Sequence, residues 1–185
     1  DWELLIGVNG HNQNSEVYQK AKLYESLDKR IKVFDFYNIK GKSNTLNEMI
    51  KHCTYNFIAL LDVDDIWEPA KLEIQSQFIH DYDVVGTKCM YFGSNSLLNG
   101  VVPTLPTGDI CDFDFFSLNP IINSSVIVKK EYCHWNNECI VEDYDLWLKL
   151  ADINIEMTFS KKISIVLFVW IKRFLLTTIA VLTTE

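Results

Sequence analysis

An apolar run that ends in three carboxylates constrains this sequence more than any other feature. The stretch IALLDVDDIWEP covers residues 58–69 and places Asp62, Asp64 and Asp65 close together. FIALLDV (57–63) is too apolar for a half-exposed strand, which predicts a strand buried on both faces, as in a parallel sheet. Asp62 and Asp64 are two positions apart and project to the same side of an extended chain. A divalent cation offsets the repulsion and lost hydration of such carboxylates, so the pattern favours an Mn²⁺ or Mg²⁺ site.

Two alternatives to a metal site remain at this point. In the first, the carboxylates belong to a solvated loop, and Asp65 caps a helix whose first turn contains Pro69. In the second, Asp62 is the phosphate acceptor of a phosphatase of the haloacid-dehalogenase type, which also places DxD after an apolar strand. The DxDGT continuation of those phosphatases is absent here, and Trp67-x-Pro69 follows instead.

The order of predicted elements indicates an α/β fold. We predict strands at LLIGV (4–8), IKVFDF (31–36), FIALLDV (57–63), DVVGT and KCMYFG (83–93), and SSVIV (124–128). We predict helices over 15–27, over about 43–53 with Ser43 as N-cap, from Pro69 to about His80, and over 142–151. This alternation predicts a Rossmann-like, mostly parallel central sheet flanked by helices. Ligands of such sheets bind at the carboxyl ends of the strands, where the acidic cluster falls.

Composition narrows the class of protein. The chain has 185 residues, 48% of them apolar, which suffices for one well-packed domain. A net charge of −8 argues against a nucleic-acid partner. Five cysteines, an odd number without a CxxC pair, indicate reduced thiols and a cytoplasmic protein.

The end of the sequence is unusually apolar. Residues 163–182 are as long as a membrane span, but Lys172 and Arg173 at the centre would each cost about 2.5–3.5 kcal/mol in a bilayer. Two short β-rich segments on either side of them, or a poorly folded tail, agree better with this cost. We therefore expect a domain over 1–160 and an atypical hydrophobic tail over 161–185. Peripheral association with the inner face of a membrane is compatible with this pattern and not required by it.

Several motifs in one order resemble the family 2 glycosyltransferases. They are DWELLIGVNG, GKSNTLNEMIKHCTYNFIALLDVDDIWEPAKLEIQ, NPIINSSVIVKK and VEDYDLWLKLA, which together span about residues 1–151. The resemblance implies the GT-A fold of nucleotide-diphospho-sugar transferases. It also implies inverting transfer of a sugar from a nucleotide-diphosphate donor, a UDP-sugar by default, to a glycan or polysaccharide-precursor hydroxyl.

Residue roles follow from the resemblance by position. Asp62-Val63-Asp64 corresponds to the DxD motif, which implies that Asp64 binds the metal and that Asp62 faces both the metal and the nucleotide. GKSNTLN resembles a GKxxALN motif, which implies that Lys42 contacts the donor diphosphate and that Asn47 shapes the same pocket.

Glu142-Asp143 corresponds to the ED motif of the family, which implies that both residues are catalytic and that Asp143 is the base. Inversion needs a base that deprotonates the acceptor hydroxyl as it attacks the anomeric carbon. Acidic residues also favour an ordinary helix start, so this pair alone has a structural interpretation. Asn9 is the remaining candidate for contact with the nucleotide base. The candidates for contact with the acceptor, or with the residues that hold the metal, are Asp65, Trp67, Asn123 and Ser124.

The sequence departs from the family pattern in its first strand and after the ED helix. The opening strand of the family, which normally lies in the middle of the sheet, has no counterpart here, so we expect an N-terminally truncated domain with an open position. No histidine follows His134, although the family commonly places one there for the metal. The alternative function is therefore a truncated, non-catalytic member that binds nucleotide weakly or not at all.

Overall fold

The computed structural model of the chain describes residues 1–93, 97–168 and 176–182. The described residues form one nine-stranded sheet with helices between strands. The strands are β1 (Trp2–Val8), β2 (Ile31–Asp35), β3 (Phe57–Asp62), β4 (Ile66–Trp67), β5 (Val84–Phe92), β6 (Gly108–Asp109), β7 (Ile127–Lys129), β8 (Met157–Phe168) and β9 (Leu176–Leu182). The helices are α1 (Glu16–Glu25), α2 (Lys42–Lys51), α3 (Lys71–Ser76) and α4 (Glu142–Asp152), with 3₁₀ turns at Asn123–Ser125 and Lys130–Tyr132.

The sheet and its helices confirm the predicted α/β architecture, and the sheet also contains antiparallel strands. Its strand order is β2-β1-β9-β3-β7-β5-β8-β4, with β6 paired to β8. In the described part of the chain, β1, β2, β3, β5 and β8 run in one direction, and β4, β6, β7 and β9 run against them. β7 follows a long irregular segment and not a crossover helix, and such a connection lets a strand return antiparallel.

β9 occupies the middle of the sheet, between β1 and β3 and antiparallel to both. Ile179 is in register with Leu5 on one side and with Leu60 on the other. The position that the family resemblance predicts to be open is therefore filled by the apolar tail. The predicted boundary at residue 160 falls inside β8, and Lys172 and Arg173 lie outside the described residues. The helices that the structure describes are all too short and too polar to pass through a bilayer.

The starts of the first two helices depend on different residues. Ser15 precedes α1, and its Oγ accepts a hydrogen bond from the Tyr18 N–H at 3.2 Å, which is typical N-capping. The prediction of Ser43 as N-cap of α2 is wrong, because α2 already begins at Lys42. Gly41 is the N-cap and has a φ of 85°, a left-handed conformation that glycine adopts without steric cost.

The helix after the acidic cluster is shorter than predicted. It spans Lys71–Ser76 and ends before His80, and it begins two residues after Pro69. Its N-cap is Ala70, so the alternative in which Asp65 caps this helix is wrong. The intervening residues form the short strand β4, which pairs with β8.

The core lies on both faces of the sheet and confirms that β3 is buried on both sides. Ile58 and Leu60 pack on the face that α2 and α4 cover, and Ala59 packs on the face that α3 covers. Trp147 of α4 is fully buried. Burial of an aliphatic side chain such as Ile58 or Leu60 stabilises the fold by about 1.5–3 kcal/mol. This burial fixes β3 in the sheet, with Asp62 at its carboxyl end.

Candidate active site

Three chain segments that are distant in sequence meet at the carboxyl end of β3. Asp62 is the last residue of β3, Lys42 is the first residue of α2, and Glu142 is the first residue of α4. The Lys42 Nζ lies 2.8 Å from Asp62 Oδ1 and 3.4 Å from Glu142 Oε1. One ammonium therefore joins the DxD motif to the ED motif. We call Lys42, Asp62, Glu142 and Asp143 the lysine–carboxylate cluster.

Lys42 is held in its charged form by this cluster. Its side chain is only 27% exposed, and burial by itself would lower the pKa of the ammonium. Asp62 and Glu142 outweigh that effect, and the pKa of Lys42 is raised above its ordinary value. Lys42 thus stays charged at neutral pH, surrounded by the carboxyl groups of Asp62, Glu142 and Asp143.

The carboxyl of Asp143 has a raised pKa. It lies in the first turn of α4, where burial raises the pKa of its carboxyl above the ordinary value. A hydrogen bond of 2.8 Å from the Tyr144 N–H and the charge of Lys42 act in the opposite direction, whereas Glu142 and Asp62 raise the pKa further. A carboxylate with a raised pKa accepts a proton more readily, and enzymes use this to produce a base.

The 3₁₀ turn Asn123–Ser125 holds the acidic loop against the sheet. Ser124 Oγ accepts a hydrogen bond from the Asp62 N–H at 2.9 Å and donates one to Asp65 Oδ2 at 2.6 Å. The Ser124 carbonyl accepts a hydrogen bond from Trp67 Nε1 at 2.8 Å. Asn123 Nδ2 donates to Asp62 Oδ2 at 3.1 Å. Asp65, Trp67, Asn123 and Ser124 thus lie beside the cluster and fix the position of Asp62.

The donor set at the acidic loop suits a hard divalent cation. Asp64 is exposed just beyond β3, and Asp62 is half-buried beside it. Among the residues that the structure describes, these carboxylates do not converge with a third acidic, histidine or cysteine ligand. Mg²⁺ is commonly bound by one or two carboxylates together with phosphate oxygens of a substrate. Asp62 and Asp64 offer carboxylate oxygens of the kind that such a cation binds, although Lys42 and Asn123 already contact the two oxygens of Asp62.

Asn9 and Asn47 lie where they support the main chain around the site. Asn9 is 2% exposed, and its Nδ2 donates to the carbonyls of Phe36 and Ile39 in the segment that leads into α2. Asn47 pairs with the main chain of Trp135, because its Nδ2 donates to the carbonyl at 2.7 Å and its Oδ1 accepts from the N–H at 2.9 Å. The amide nitrogen of each residue is thus already engaged by the protein.

Sequence reasoning missed two groups of side chains. Lys71 and Gln75 of α3 are fully buried, which local sequence does not indicate, because the partners of Gln75, Val85 and Ser125, lie outside the helix. Asp109, Cys111 and Glu156 meet at metal-ligand spacing near β6, which the sequence did not predict because Glu156 lies far along the chain. Burial and Asp109 raise the pKa of the Cys111 thiol to about 11, so the thiol is protonated at neutral pH in the metal-free chain.

The sequence of the chain is similar to those of known glycosyltransferases. Residues 1–130 match the family model described as Glycosyl transferase family 2. The chain is 30% identical over 169 residues to the O-antigen biosynthesis glycosyltransferase WbnJ of Escherichia coli, covering 82% of this chain and 61% of that protein. It is 37% identical over 75 residues to the UDP-Glc:alpha-D-GlcNAc-diphosphoundecaprenol beta-1,3-glucosyltransferase WfgD of Escherichia coli, covering 40% and 28% respectively. The chain thus spans less than two thirds of the length of these relatives.

A solved structure shares the fold. The crystal structure of S. aureus TarS 1-349 superposes with a TM-score of 0.64 at 19% sequence identity, covering 88% of this chain and 50% of that one. The likeness confirms the expected α/β fold.

Proposed function

The chain belongs to glycosyl transferase family 2, and from this premise we propose that it transfers a sugar from a nucleotide-diphosphate donor to a glycan hydroxyl with inversion. The observation that carries the proposal is the meeting of the DxD and ED motifs on the Lys42 ammonium. We take a UDP-sugar as the donor and a polysaccharide precursor as the acceptor. The name of WfgD includes a UDP-sugar and a diphosphoundecaprenol-linked acceptor, and that of WbnJ includes O-antigen biosynthesis, which supports this choice.

The donor end of the proposed reaction uses the DxD side of the cluster. Asp64 and Asp62 would hold Mn²⁺ or Mg²⁺, which when bound neutralises charge on the departing nucleoside diphosphate. Lys42 would donate hydrogen bonds to the same diphosphate from the position that Asp62 gives it. Asn123 and Ser124 would keep Asp62 in place during this exchange of partners, because they bind its carboxylate and its N–H.

The acceptor end of the reaction uses Asp143. Its carboxylate would take the proton of the acceptor hydroxyl while that oxygen forms a bond to the anomeric carbon, as the bond from that carbon to the diphosphate oxygen breaks. Attack opposite the leaving group inverts the anomeric configuration. The raised pKa of Asp143 supports this role, because a more basic carboxylate accepts the proton with less free-energy cost.

The first test is binding. Calorimetric titration of UDP in the presence of Mn²⁺ should give saturable binding that Asp64→Asn weakens by at least about 10- to 100-fold, the effect of losing a group that merely orients a metal ligand. Asp81→Asn is a matched control, because Asp81 is an exposed aspartate outside the cluster. Equal UDP affinity of the two variants would contradict the role of Asp64. No binding to the folded wild-type chain would indicate either another nucleotide or the truncated, non-catalytic alternative.

The second test is turnover. With a bound donor, the wild-type chain should release UDP in the presence of a glycan acceptor, and Asp143→Asn should abolish release while retaining UDP affinity. UDP binding without turnover in the wild type would instead identify the truncated, non-catalytic alternative. We do not retain the phosphatase alternative, because the match over residues 1–130 is to glycosyl transferases.

A further inference from the structure

We infer that Lys71 and Gln75 form a buried positioning pair that holds the Asn123–Ser125 turn, and through it Asp62, in the arrangement that donor binding requires. The inference rests on the proposed function and adds two residues to it. Neither side chain touches the lysine–carboxylate cluster in the described contacts; they act through the turn.

Gln75 connects three parts of the protein. It is fully buried, and its Nε2 donates to the Val85 carbonyl of β5 at 2.5 Å and to the Ser125 carbonyl at 2.8 Å. Lys71 Nζ donates to Gln75 Oε1 at 2.6 Å. Since Lys71 offers only donors, it fixes the amide so that its oxygen faces the lysine and its NH₂ faces the two carbonyls.

The pair reaches Ser124 by two routes. Along the main chain, Ser125 adjoins Ser124, which holds the Asp62 N–H at 2.9 Å. Through the side chains, the Lys71 ammonium lies 4.3 Å from the centre of the Trp67 ring, and Trp67 donates to the Ser124 carbonyl at 2.8 Å. A shift of the Gln75 amide would therefore be transmitted to the acidic loop from both sides.

A purely structural role is a poor explanation for a lysine at this position. Lys71 is 0% exposed, and among the described residues no carboxylate forms an ion pair with its ammonium. Burial lowers the pKa of Lys71 to about 7, so the fold loses free energy by keeping the group. An unbranched apolar side chain would fill the space without this cost. What the ammonium adds is the orientation of Gln75 and a contact with the Trp67 ring.

The test compares Gln75→Met with Gln77→Met, which changes an exposed glutamine just beyond the same helix. Hydrogen exchange is measured by NMR on the ligand-free protein. In Gln75→Met, the Asp62 amide and the Trp67 indole N–H should exchange about tenfold faster, while amides between β1 and β2 keep their wild-type rates. UDP affinity in Mn²⁺ should fall by about 10- to 100-fold, as for other groups that orient metal ligands. Gln77→Met should match the wild type in both measurements.

Lys71→Met is the second variant and decides the outcome if Gln75→Met does not fold. It keeps the Gln75 donors and removes the group that orients them, so the same two protons should exchange faster while thermal stability is maintained or raised. The inference would be overturned if both protons exchanged at the wild-type rate, or if exchange became faster uniformly across the sheet. It would also be overturned if UDP affinity were unchanged although the two protons exchanged faster. Absence of UDP binding in the wild type would instead contradict the proposed donor, and the exchange rates would still decide whether the pair holds the loop.

Discussion

The ammonium of Lys42 lies 2.8 Å from the Oδ1 of Asp62, so the first residue of α2 is ion-paired with the last residue of β3. Glu142 Oε1 lies 3.4 Å from the same ammonium. The charge of Lys42 also lowers the pKa of the adjacent Asp143, against the larger effect of burial. One lysine thus offsets part of the repulsion among three carboxylates from two motifs. The charges at the proposed donor and acceptor ends of the site therefore affect one another. Removal of one charge should shift the pKa of Asp143 and, with it, the pH dependence of the proposed reaction.

Removing the charge of Glu142 should change the pH profile of the proposed reaction. Glu142 raises the pKa of Asp143, so Glu142→Gln should lower that pKa. A base acts in its deprotonated form, and activity rises as pH increases through its pKa. The acid limb of kcat/KM against pH should therefore move to lower pH. Glu138→Gln, at an exposed position, is the control, and an identical profile for both variants would argue against Asp143 as the base.

Metal and nucleotide should bind with positive coupling. In the described residues, Asp62 and Asp64 would supply only part of a coordination shell, so Mn²⁺ should bind weakly without UDP. Titration of Mn²⁺ with and without saturating UDP should show an affinity gain of about tenfold or more, and UDP should gain by the same factor from Mn²⁺. Equal Mn²⁺ affinity in both titrations would contradict a shared site.

Interruption of the central strand β9 should destabilise the whole sheet. Thr178 is in register with Ile6 on β1 and with Leu61 on β3. A proline there removes a backbone N–H and its hydrogen bond from the middle of the sheet, so Thr178→Pro should lower the free energy of unfolding by about 3 kcal/mol or more. Thr178→Val keeps the N–H and is the matched control. Urea denaturation of both variants measures the difference, and similar midpoints would contradict the central position of β9.

The contact between Gly86 and Phe159 should not tolerate a methyl group. A Cβ on Gly86 would lie 2.5 to 2.8 Å from atoms of the Phe159 ring, which belongs to the neighbouring strand β8. Gly86→Ala should therefore lower the free energy of unfolding by about 1–3 kcal/mol. In Gly7→Ala the nearest atom is the flexible Met49 Sδ, so the loss should be smaller. Chemical denaturation tests this order, and equal losses would show that Phe159 moves as freely as Met49.

Lys71 should make stability rise with pH above neutrality. Its pKa is about 7 in the folded chain and has the ordinary value of 10.5 when unfolded. Between these values the unfolded chain binds the extra proton, so the free energy of unfolding contributed by this group rises as pH increases from about 7 to about 10.5. Lys71→Met should remove that slope and be the more stable variant near pH 7. Denaturation at several pH values checks it, and parallel curves for the two proteins would contradict an unpaired buried ammonium.

Local pattern and motif order were enough to predict several features from the sequence. The buried strand before Asp62 and the helix that begins at Glu142 follow from neighbouring residues, because hydrophobic periodicity and helix-start signals act over a few positions. The family and the α/β fold, predicted from motif order, are confirmed by the comparisons. The roles of the site residues stay predictions that the experiments above address.

Tertiary structure alone decided which distant groups meet. Strand pairing joins segments whatever their separation in sequence, so the sequence predicted β-rich pieces in the tail without placing β9 between β1 and β3. The contacts of Ser124 with Asp62 and Asp65, and those of Gln75 with Val85 and Ser125, likewise bring together different parts of the chain. Such contacts depend on packing geometry, because a buried polar group must find a partner wherever the fold provides one. The sequence therefore determined the fold class and the acidic motifs, and the tertiary structure determined how those motifs are supported.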